Sequence, residues 1–307
     1  MEFESYGSFW NHQAATPEGA LAGVDGSASE ETVRMTGRWA ARQVSRALGL
    51  DGSQRVLELG CGVGRIGREL VDNCRAWHGV DISQSMLSVA AERLAGAESA
   101  EFSLLKQTSL AMIADESLDA AYSVAVLCHI DKEDLYLYLE ELNRCVADGG
   151  LIYVETWNLA HPMGWRRWDF EVNAWRDADQ QKRKNVSRNQ FCVPEEFHLY
   201  LEKAGWEIVR SWSDSPWIQV VAGKGLDEDR LAAERSRLDA CADGVVYSAR
   251  FSELFGRLLD VIYGLAQPQA LFDDLTGDDP ETRMFRAYLV ALWRQGEAHW
   301  GPPPESD

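Results

Sequence analysis

Apolar runs of strand length alternate with amphipathic stretches from residue 55 onward. The apolar runs predict strands at 55–59, 77–81, 101–105, 118–126 and 151–156. The stretches between them predict helices near 65–74, 83–94 and 131–146. Apolar strands that alternate with helices are typical of a parallel sheet covered on both faces.

Two further strand-like runs follow, at 207–213 and 217–222, and they are separated by Asp214-Ser215-Pro216. This turn is too short for a parallel crossover, which needs a dozen residues or more. The pattern therefore predicts that the sheet ends in an antiparallel hairpin.

The remaining chain is predicted to surround this α/β core. Residues 1–50 are predicted to be an N-terminal lid segment, with coil followed by a helix at 31–48. The core spans 51–224 and carries an insert at 158–190. Residues 225–300 are predicted to form a helical extension, and 301–307 a disordered tail.

Composition narrows the class of protein. Hydrophobic residues make up 46% of the 307 positions and charged residues 26%, as in ordinary globular proteins. The 49 acidic and 30 basic residues give a net charge of −19, which disfavours nucleic acid as a partner. The polar, acidic N-terminus and the lack of an apolar run near 20 residues predict a cytoplasmic protein with no membrane contact.

Potential metal ligands and disulfide partners show no organised spacing. The six cysteines form no CxxC pair, and the six histidines have no ligand spacing. We therefore expect reduced thiols and no bound metal.

The strongest chemical signal is a glycine-rich turn. The first predicted strand runs into Gly60-Cys61-Gly62-Val63-Gly64 and then into a helix, and Asp81 ends the next strand 17 residues after Gly64. Glycines let a ligand approach bare peptide groups, and a helix N-terminus offers free N–H groups to an anion. Because adjacent parallel strands place the carboxylate across the crevice, the pattern predicts a site for a nucleoside with an anionic tail.

The glycines alone do not identify that nucleoside. Gly62, Gly64 and Gly67 also satisfy the GxGxxG pattern of dinucleotide-binding proteins, so a nicotinamide-dependent oxidoreductase is an alternative. Glu58 inside the strand and the terminal hairpin are atypical of that fold. Both features favour S-adenosylmethionine.

An ordered set of segments carries a family resemblance. The segments are VLELGCGVGR, HGVDISQSMLSVA, SLDAAYSVAVLCHI, LNRCVADGGLIYVETWN and VPEEFHLYLEKAGWEIV. Over residues 30–224 the chain resembles the class I S-adenosylmethionine-dependent methyltransferases. The resemblance implies a seven-stranded, mostly parallel sheet of order 3-2-1-4-5-7-6, with an antiparallel last strand. It also implies S-adenosylhomocysteine as a product.

The resemblance also assigns cofactor contacts. The methionine part would be cradled by Gly60, Cys61, Gly62 and Gly64. Glu58 would orient that end of the cofactor, and Ser123 would approach the methionine amino group. Asp81 would hold the ribose, and the adenine would pack on Ile82 and Met86. The family usually has an acidic residue or Asn near the adenine amine, where this chain has Lys106. Lysine cannot accept that hydrogen bond, so Gln107 or a backbone carbonyl has to substitute, and Gln107 and Thr108 are candidates.

Candidate catalytic and acceptor-binding residues lie at the ends of the fourth and fifth strands. His129 is a candidate general base, or else a structural residue that closes the pocket. Glu155, Trp157 and Asn158 end the fifth strand, where ligands dock on open α/β sheets. Strand alternation puts Glu155 with Trp157 on one face.

Aromatic side chains outside the core allow two interpretations. Tyr6 and Trp10 are predicted to form part of a lid, or to anchor the terminus to the core. The insert carries several tryptophans and seven basic residues against four acidic ones between Trp165 and Arg188. It is either a substrate lid or an amphipathic segment packed on the core. The apolar helical spacing of 254–263 leaves open an active-site roof or a homodimer surface.

The sequence thus predicts methyl transfer from S-adenosylmethionine to an O, N or C atom of a small molecule. A peptide or protein methyltransferase and a non-catalytic S-adenosylmethionine-binding subunit are the alternatives.

Overall fold

The structure is a computed structural model that describes residues 3–304. Its strands are β1 (Arg55–Leu59), β2 (Ala76–Asp81), β3 (Ala100–Leu104), β4 (Leu118–Ser123), β5 (Val146–Asn158), β6 (Phe191–Cys192), β7 (Glu207–Trp212) and β8 (Trp217–Gly223). Its helices are α1 (Tyr6–Gln13), α2 (Pro17–Asp25), α3 (Glu30–Leu48), α4 (Gly67–Leu70), α5 (Gln84–Arg93), α6 (Lys132–Cys145), α7 (Pro162–Ala174), α8 (Gln180–Arg183), α9 (Pro194–Lys203), α10 (Glu228–Ala240), α11 (Ala249–Ile262), α12 (Pro268–Asp274), α13 (Pro280–Gln295) and α14 (Glu297–Trp300).

The strands form one sheet of order β3-β2-β1-β4-β5-β8-β7, with the two-residue β6 paired to the end of β5. Strands β1 to β5 are mutually parallel, and β8 is antiparallel to both β5 and β7. Apart from β6, which the sequence did not predict, this is the predicted order with its terminal hairpin. The predicted fold class is therefore confirmed.

Strand alternation divides the core between the two faces of the sheet. On one face Leu57 and Ile152 pack with residues of α6 and α9. On the other face Val56 and Tyr153 pack with residues of α3, α4, α5 and α10. Strands β1, β2, β4 and the second half of β5 are thus mostly buried on both sides, as their apolar sequences predict, whereas the edge strand β3 is only partly buried.

The register of β1 and β2 positions the glycine turn. Leu59 pairs with Val80, so the residues that follow, Gly60 and Asp81, leave the sheet side by side. The fourth strand is shorter than predicted and ends at Ser123, because the chain then turns through Ala125, at φ +58°, into a 3-10 turn at Leu127–His129. These loops therefore meet at the carboxyl edge of the sheet.

The coil predicted before residue 31 is wrong, because this segment contains α1 and α2. Ser5 caps α1 and Thr16 caps α2, each through its hydroxyl to a backbone N–H three residues later. The two helices are only eight and nine residues long, and α2 is rich in glycine and alanine, so they show little apolar periodicity. They pack against Met86 at the start of α5.

A third group of apolar residues lies at the carboxyl end of β5 and beside the start of β8. Trp157 and Trp217 pack there with aromatic and aliphatic side chains of α11, α12 and α13. These helices therefore cover the same edge of the sheet at which the glycine turn lies. Among the helices of residues 3–304, none combines the length and the apolar character that a membrane crossing requires. Residues 305–307 of the predicted tail lie outside the described residues.

Candidate active site

The turn after β1 has a backbone that only glycine adopts readily. Gly60, Gly62 and Gly64 have φ values of +75°, +52° and +70°. The N–H groups of Gly60 and Cys61 both donate to the carbonyl of Val80, at 2.8 and 3.0 Å, so the turn is fixed to the end of β2. A Cβ on Gly60 would meet the Val126 side chain at 2.4 Å. The turn therefore exposes backbone without side chains to the narrow space beside Val126.

The Asp81 carboxylate faces this turn. Its Oδ2 accepts the Gly62 N–H at 2.8 Å, and its Oδ1 accepts the Ser83 N–H at 2.8 Å. Burial raises the pKa of Asp81, and the backbone N–H donors oppose that shift. Each carboxylate oxygen retains acceptor capacity after one such bond, so both can still accept a hydroxyl.

Glu58 anchors a buried hydrogen-bond chain under the glycine turn. The Tyr122 hydroxyl donates to its Oε2 at 2.6 Å, and the Trp77 indole N–H donates to that hydroxyl at 3.1 Å. Burial raises the pKa of Glu58 to about 8, whereas Tyr122 and the charge of Arg65 oppose the shift. A carboxyl group with this pKa is largely protonated at neutral pH.

A cleft opens between the glycine turn, α1, α2 and the loop after β4. Its empty volume, including the opening to solvent, is about 930 Å³. Ten of the residues that the sequence singled out line it: Tyr6, Trp10, Glu58, Gly60, Cys61, Gly62, Asp81, Ile82, Met86 and His129. The structure thus brings the glycine turn, the ribose candidate and the lid candidates together.

Four other candidates lie outside the cleft lining. Gly64 packs against α5, where a Cβ would meet Leu94 at 2.6 Å. The Ser123 hydroxyl donates to the Leu59 carbonyl at 3.2 Å. Thr108 donates to Asp134 at 2.8 Å, and Gln107 is exposed.

The region near Lys106 and Gln107 presents an apolar wall to the cleft instead of a side-chain acceptor. Leu105 and Tyr138 line the cleft there, while Lys106 is exposed. The Leu105 N–H donates to the Asp81 carbonyl at 2.8 Å, which holds this segment next to the ribose candidate.

His129 borders the cleft beside the N-terminal helix. Its ring makes an edge contact with Trp10, with centroids 5.2 Å apart. Burial, with a smaller contribution from the Arg167 charge, lowers its pKa to about 4. The imidazole is therefore neutral near pH 7 and is a weak base.

Helix α1 is attached to the walls of the cleft by specific hydrogen bonds. The Asn11 Oδ1 accepts from the Ser83 hydroxyl at 2.9 Å and from the Ser85 N–H at 3.1 Å. The Tyr6 hydroxyl accepts the Asp131 N–H at 2.8 Å. Burial is the main cause that raises the pKa of Tyr6, so this hydroxyl stays protonated.

A second cavity adjoins the first and shares Arg65, Val124 and Ala125 with it. Its empty volume is about 720 Å³. We name it the aromatic cavity because seven of its lining residues are aromatic: Trp39, Trp217, Tyr247, Phe251, Phe255, Phe285 and Tyr288. Aliphatic side chains and two carboxylates, Asp25 and Glu155, also line it.

Glu155 lies in the wall of the aromatic cavity, and only 1% of it is exposed. The Tyr153 hydroxyl donates to its Oε2 at 3.0 Å, and the Tyr247 hydroxyl lies 2.9 and 3.1 Å from its two oxygens. Burial raises the pKa of Glu155 to about 7, opposed by these hydroxyls, by the charge of Arg65 and by the Ala125 N–H. The carboxyl group is thus close to half ionised at neutral pH.

The other two candidates on β5 hold the surrounding structure. Trp157 stacks on Trp217 at a centroid distance of 4.9 Å. The Asn158 amide donates to the carbonyls of Ser213 and Ser215, at 2.8 and 3.2 Å. Trp157 lies on the face of Glu155, as strand alternation predicted, and Asn158 fixes the turn between β7 and β8.

Residues that sequence reasoning missed include Arg65 and the aromatic residues of the C-terminal helices. Arg65 directly follows the glycine turn, and this position is the signal that could have identified it. Phe251 and Phe255 are four positions apart on α11, but that spacing is equally typical of ordinary core. Across the described part of the chain, no three His, Cys, Asp or Glu side chains come together as a candidate metal site.

Known proteins resemble this chain in part of its sequence and in its fold. A sequence model of the methyltransferase-domain family matches residues 56–150, which span β1 to the start of β5. No curated protein sequence matches the chain. Residues 56–150 are therefore similar in sequence to methyltransferase domains, and the chain has the fold of the class I S-adenosylmethionine-dependent methyltransferases.

Solved structures share this fold at low sequence identity. One similar chain comes from the solved complex between the Haloferax volcanii Trm112 methyltransferase activator and the proposed methyltransferase. The two chains are 15% identical, with a TM-score of 0.52, and the match covers 71% of this chain and 98% of the Haloferax chain. This chain is also similar to magnesium protoporphyrin IX methyltransferase from Synechocystis with bound S-adenosylhomocysteine, with 17% identity, a TM-score of 0.48, and coverage of 63% and 84%.

Proposed function

We propose that the chain is an S-adenosylmethionine-dependent methyltransferase that modifies a small organic molecule. The observation that carries this proposal is the Asp81 carboxylate, which faces the bare peptide of the glycine turn across one cleft. A ribose needs paired acceptors, which Asp81 offers, and the methionine end needs a close approach to the backbone, which the glycines allow, so these features suit the two ends of the methyl donor.

The lining residues fit the methyl donor part by part. Gly60 and Gly62 would hold the methionine end, where a Cβ at Gly60 would fill the space. Asp81 would accept hydrogen bonds from the ribose hydroxyls. Ile82 and Met86 would pack on the adenine, and the apolar wall at Leu105 leaves backbone groups to bond its amine.

When bound, S-adenosylmethionine supplies a methyl group whose carbon bonds to the acceptor atom while the C–S electron pair stays on sulfur, giving S-adenosylhomocysteine. The protein's main task is then to hold the acceptor in line and to exclude water. A base is needed only where the acceptor carries a proton.

We propose the aromatic cavity as the acceptor site. It meets the cofactor cleft at Val124 and Ala125, so an occupant would lie next to the methyl donor. Its walls come from the sheet edge and from α3, α11 and α13, and Trp217, Tyr247 and Phe251 are each less than a tenth exposed. A concave space lined by buried aromatic side chains suits a small molecule better than a polypeptide.

Two side chains are candidates to accept the acceptor's proton. His129 borders the cofactor cleft, but its pKa of about 4 makes it a weak base. Glu155 borders the aromatic cavity, and its pKa of about 7 lies near the operating pH, where general bases are most efficient. We therefore favour Glu155 over His129 for this role.

The proposal is tested by calorimetric titration of the full chain with S-adenosylhomocysteine and, separately, with NAD. We expect binding of the first ligand only, and Asp81→Asn should weaken it by about tenfold or more, because the ribose loses a charged acceptor. Asp72→Asn, at an exposed position, is the matched control and should bind as the wild type does. A folded chain that does not bind S-adenosylhomocysteine would refute the proposal.

A protein partner is a second proposal for this chain, because the Haloferax structure of the same fold contains an activator protein. In this case the chain would act as part of a complex, on a small molecule or on a peptide. Methyl transfer by the purified chain alone, at a rate that added cell extract does not raise, would exclude this requirement.

A further inference from the structure

Three hydroxyl groups in the wall of the aromatic cavity have hydrogens that already donate to protein acceptors. The Tyr247 hydroxyl donates to Glu155, and the Thr36 hydroxyl donates to the Asp25 Oδ2 at 2.8 Å. The Tyr288 hydroxyl donates to the Asp25 carbonyl. Because these hydrogens point to protein acceptors, the oxygens offer mainly lone pairs to an occupant. Such a wall favours a ligand that donates hydrogen bonds.

The charges around the cavity are unequal. Asp25 and Glu155 are carboxylates, and Arg65 is the guanidinium at the boundary with the cofactor cleft. The Asp25 carboxylate accepts three hydrogen bonds, from the Ser27 N–H, the Ser27 hydroxyl and the Thr36 hydroxyl, whereas Glu155 accepts from two tyrosine hydroxyls and so retains more acceptor capacity for a ligand. The net charge of −19 further attracts a cation and repels an anion.

The aromatic walls are arranged as faces and edges around this carboxylate. Trp39 stacks on Phe251 at 4.8 Å and on Tyr247 at 5.3 Å. Trp217 lies 4.7 Å from both Tyr247 and Phe255. Aromatic faces bind flat apolar groups and attract organic cations, more strongly when water is excluded.

We propose that the aromatic cavity takes a small organic amine, with an apolar or aromatic body between the rings and its protonated nitrogen paired with Glu155. This inference rests on the proposed function, in which an occupant of the cavity is the methyl acceptor. It adds the chemical class of that acceptor and the residue that selects it. For transfer to this nitrogen, the ammonium first gives a proton to the Glu155 carboxylate, the freed lone pair forms the new C–N bond, and the electron pair of the broken C–S bond stays on sulfur.

The first test compares matched probes by calorimetric titration of the full chain at pH 8. The probes are 2-phenylethylamine and tryptamine, their neutral counterparts 2-phenylethanol and tryptophol, and the anions 3-phenylpropionate and indole-3-propionate. Each amine should bind about tenfold more tightly than its alcohol, because only the amine gains an ion pair and a cation–π contact. An alcohol or carboxylate that binds as tightly as its amine in both sets would overturn the proposal.

Variants of the chain test whether Glu155 determines the preference for amines. Glu155→Gln should reduce the preference for the amine to about twofold or less, because the charge is lost while hydrogen bonding is kept. Glu253→Gln, at an exposed position on α11, is the matched control and should keep the full preference. Phe255→Leu should weaken the amine more than the alcohol and keeps the test valid if Glu155→Gln does not fold. A full amine preference in folded Glu155→Gln, or an equal weakening of amine and alcohol in Phe255→Leu, would refute the assignment.

The pH dependence of binding gives an independent readout. The groups that face Glu155 are Tyr153, Tyr247, Cys128 and Arg65. Because burial raises the pKa of Tyr153, Tyr247 and Cys128, Glu155 is the group among these that is expected to change ionisation between pH 6 and 8. The amine preference should therefore be larger at pH 8 than at pH 6 and constant in Glu155→Gln.

S-Adenosylhomocysteine binding separates this inference from the proposed function. If the wild type binds S-adenosylhomocysteine but shows no amine preference, only the inference fails. If it prefers amines but does not bind S-adenosylhomocysteine, the methyltransferase proposal fails and the cavity is an amine site of another kind.

Discussion

At the scale of single residues, Gly60 combines backbone strain and close packing. Its φ of +75° disfavours any side chain, and a Cβ would also meet Val126 at 2.4 Å. Gly52 has φ +94°, but a Cβ added there would have no other atom within 4 Å, so it isolates the backbone cost. We expect Gly52→Ala to lower the free energy of unfolding by about 1–2 kcal/mol, and Gly60→Ala by about 1–3 kcal/mol more.

Urea unfolding of the two glycine variants measures this difference, and S-adenosylhomocysteine titration shows its consequence. Gly60→Ala should lose affinity, because the added methyl group occupies the face that the ligand needs, whereas Gly52→Ala should keep it. Equal stability losses in the two variants would contradict the steric account of the turn.

Glu58 makes stability depend on pH. Its pKa is raised from about 4.5 in the unfolded chain to about 8 when folded, so the folded state binds the extra proton. The stabilisation is complete below the unfolded pKa and is lost as pH rises through the folded one. Between pH 6.5 and 8 this group should lower the free energy of unfolding by about 1–2 kcal/mol.

Glu58→Gln keeps an acceptor for Tyr122 but cannot ionise, so its stability should fall less over this pH range. The window lies above pH 6.5 because the lowered pKa of His129 acts in the opposite direction at lower pH. Denaturant unfolding at several pH values compares the two proteins, and parallel curves would show that Glu58 is not the responsible group.

Residue-scale features differ in how far the sequence could predict them. Gly60 and Asp81 were predictable because their backbone demands and their strand-end positions are local. The aromatic cavity was not, because Trp39, Glu155 and Trp217 meet only after the sheet and three helices pack together. No local pattern encodes the direction in which those helices cross the sheet edge.

At the scale of elements, α1 borders the cleft, and few hydrogen bonds attach it there. Asn11 joins it to the start of α5 through Ser83 and Ser85. Asn11→Ala should raise the dissociation constant of S-adenosylhomocysteine several-fold, mainly through faster dissociation, because lid opening becomes easier. The cost to global stability should be about 1 kcal/mol.

Stopped-flow displacement of S-adenosylhomocysteine measures this effect. Glu18→Ala, at an exposed position on the neighbouring α2, is the control and should dissociate at the wild-type rate. An unchanged dissociation rate in Asn11→Ala would show that α1 does not gate the cleft.

The helices and strands also differ in how well their sequences predict them. The bounds of β1 were predicted to the residue, because an apolar run ends in glycines. Helices α1 and α2 were missed because their signals are caps, at Ser5 and Thr16, instead of a regular apolar stripe. The two-residue β6 exists only because the chain after the insert returns to β5, which is a tertiary effect.

At the scale of the whole molecule, the C-terminal helices are part of the core and not an appendage. Side chains of α11 and α13, among them Phe251 and Phe285, pack with Trp157 and Trp217 of the sheet. A buried aromatic side chain hides about 150–250 Å², and at about 25 cal/mol per Å² several of them are worth on the order of 10 kcal/mol. This is comparable to the whole stability of a domain.

Truncation after residue 225 should therefore give a chain that melts without a sharp transition and binds a hydrophobic dye, because the ends of β5 and β8 are left uncovered. Truncation after residue 302 keeps α14 and the Gly301 carbonyl that accepts from the Trp293 indole, so it is the control and should melt as the full chain does. Differential scanning calorimetry compares the three chains. If the chain truncated after residue 225 melted cooperatively near the full-length temperature and still bound S-adenosylhomocysteine, the methyltransferase core would be an independent folding unit. The C-terminal helices that complete the aromatic cavity would then be a separate unit packed on that core.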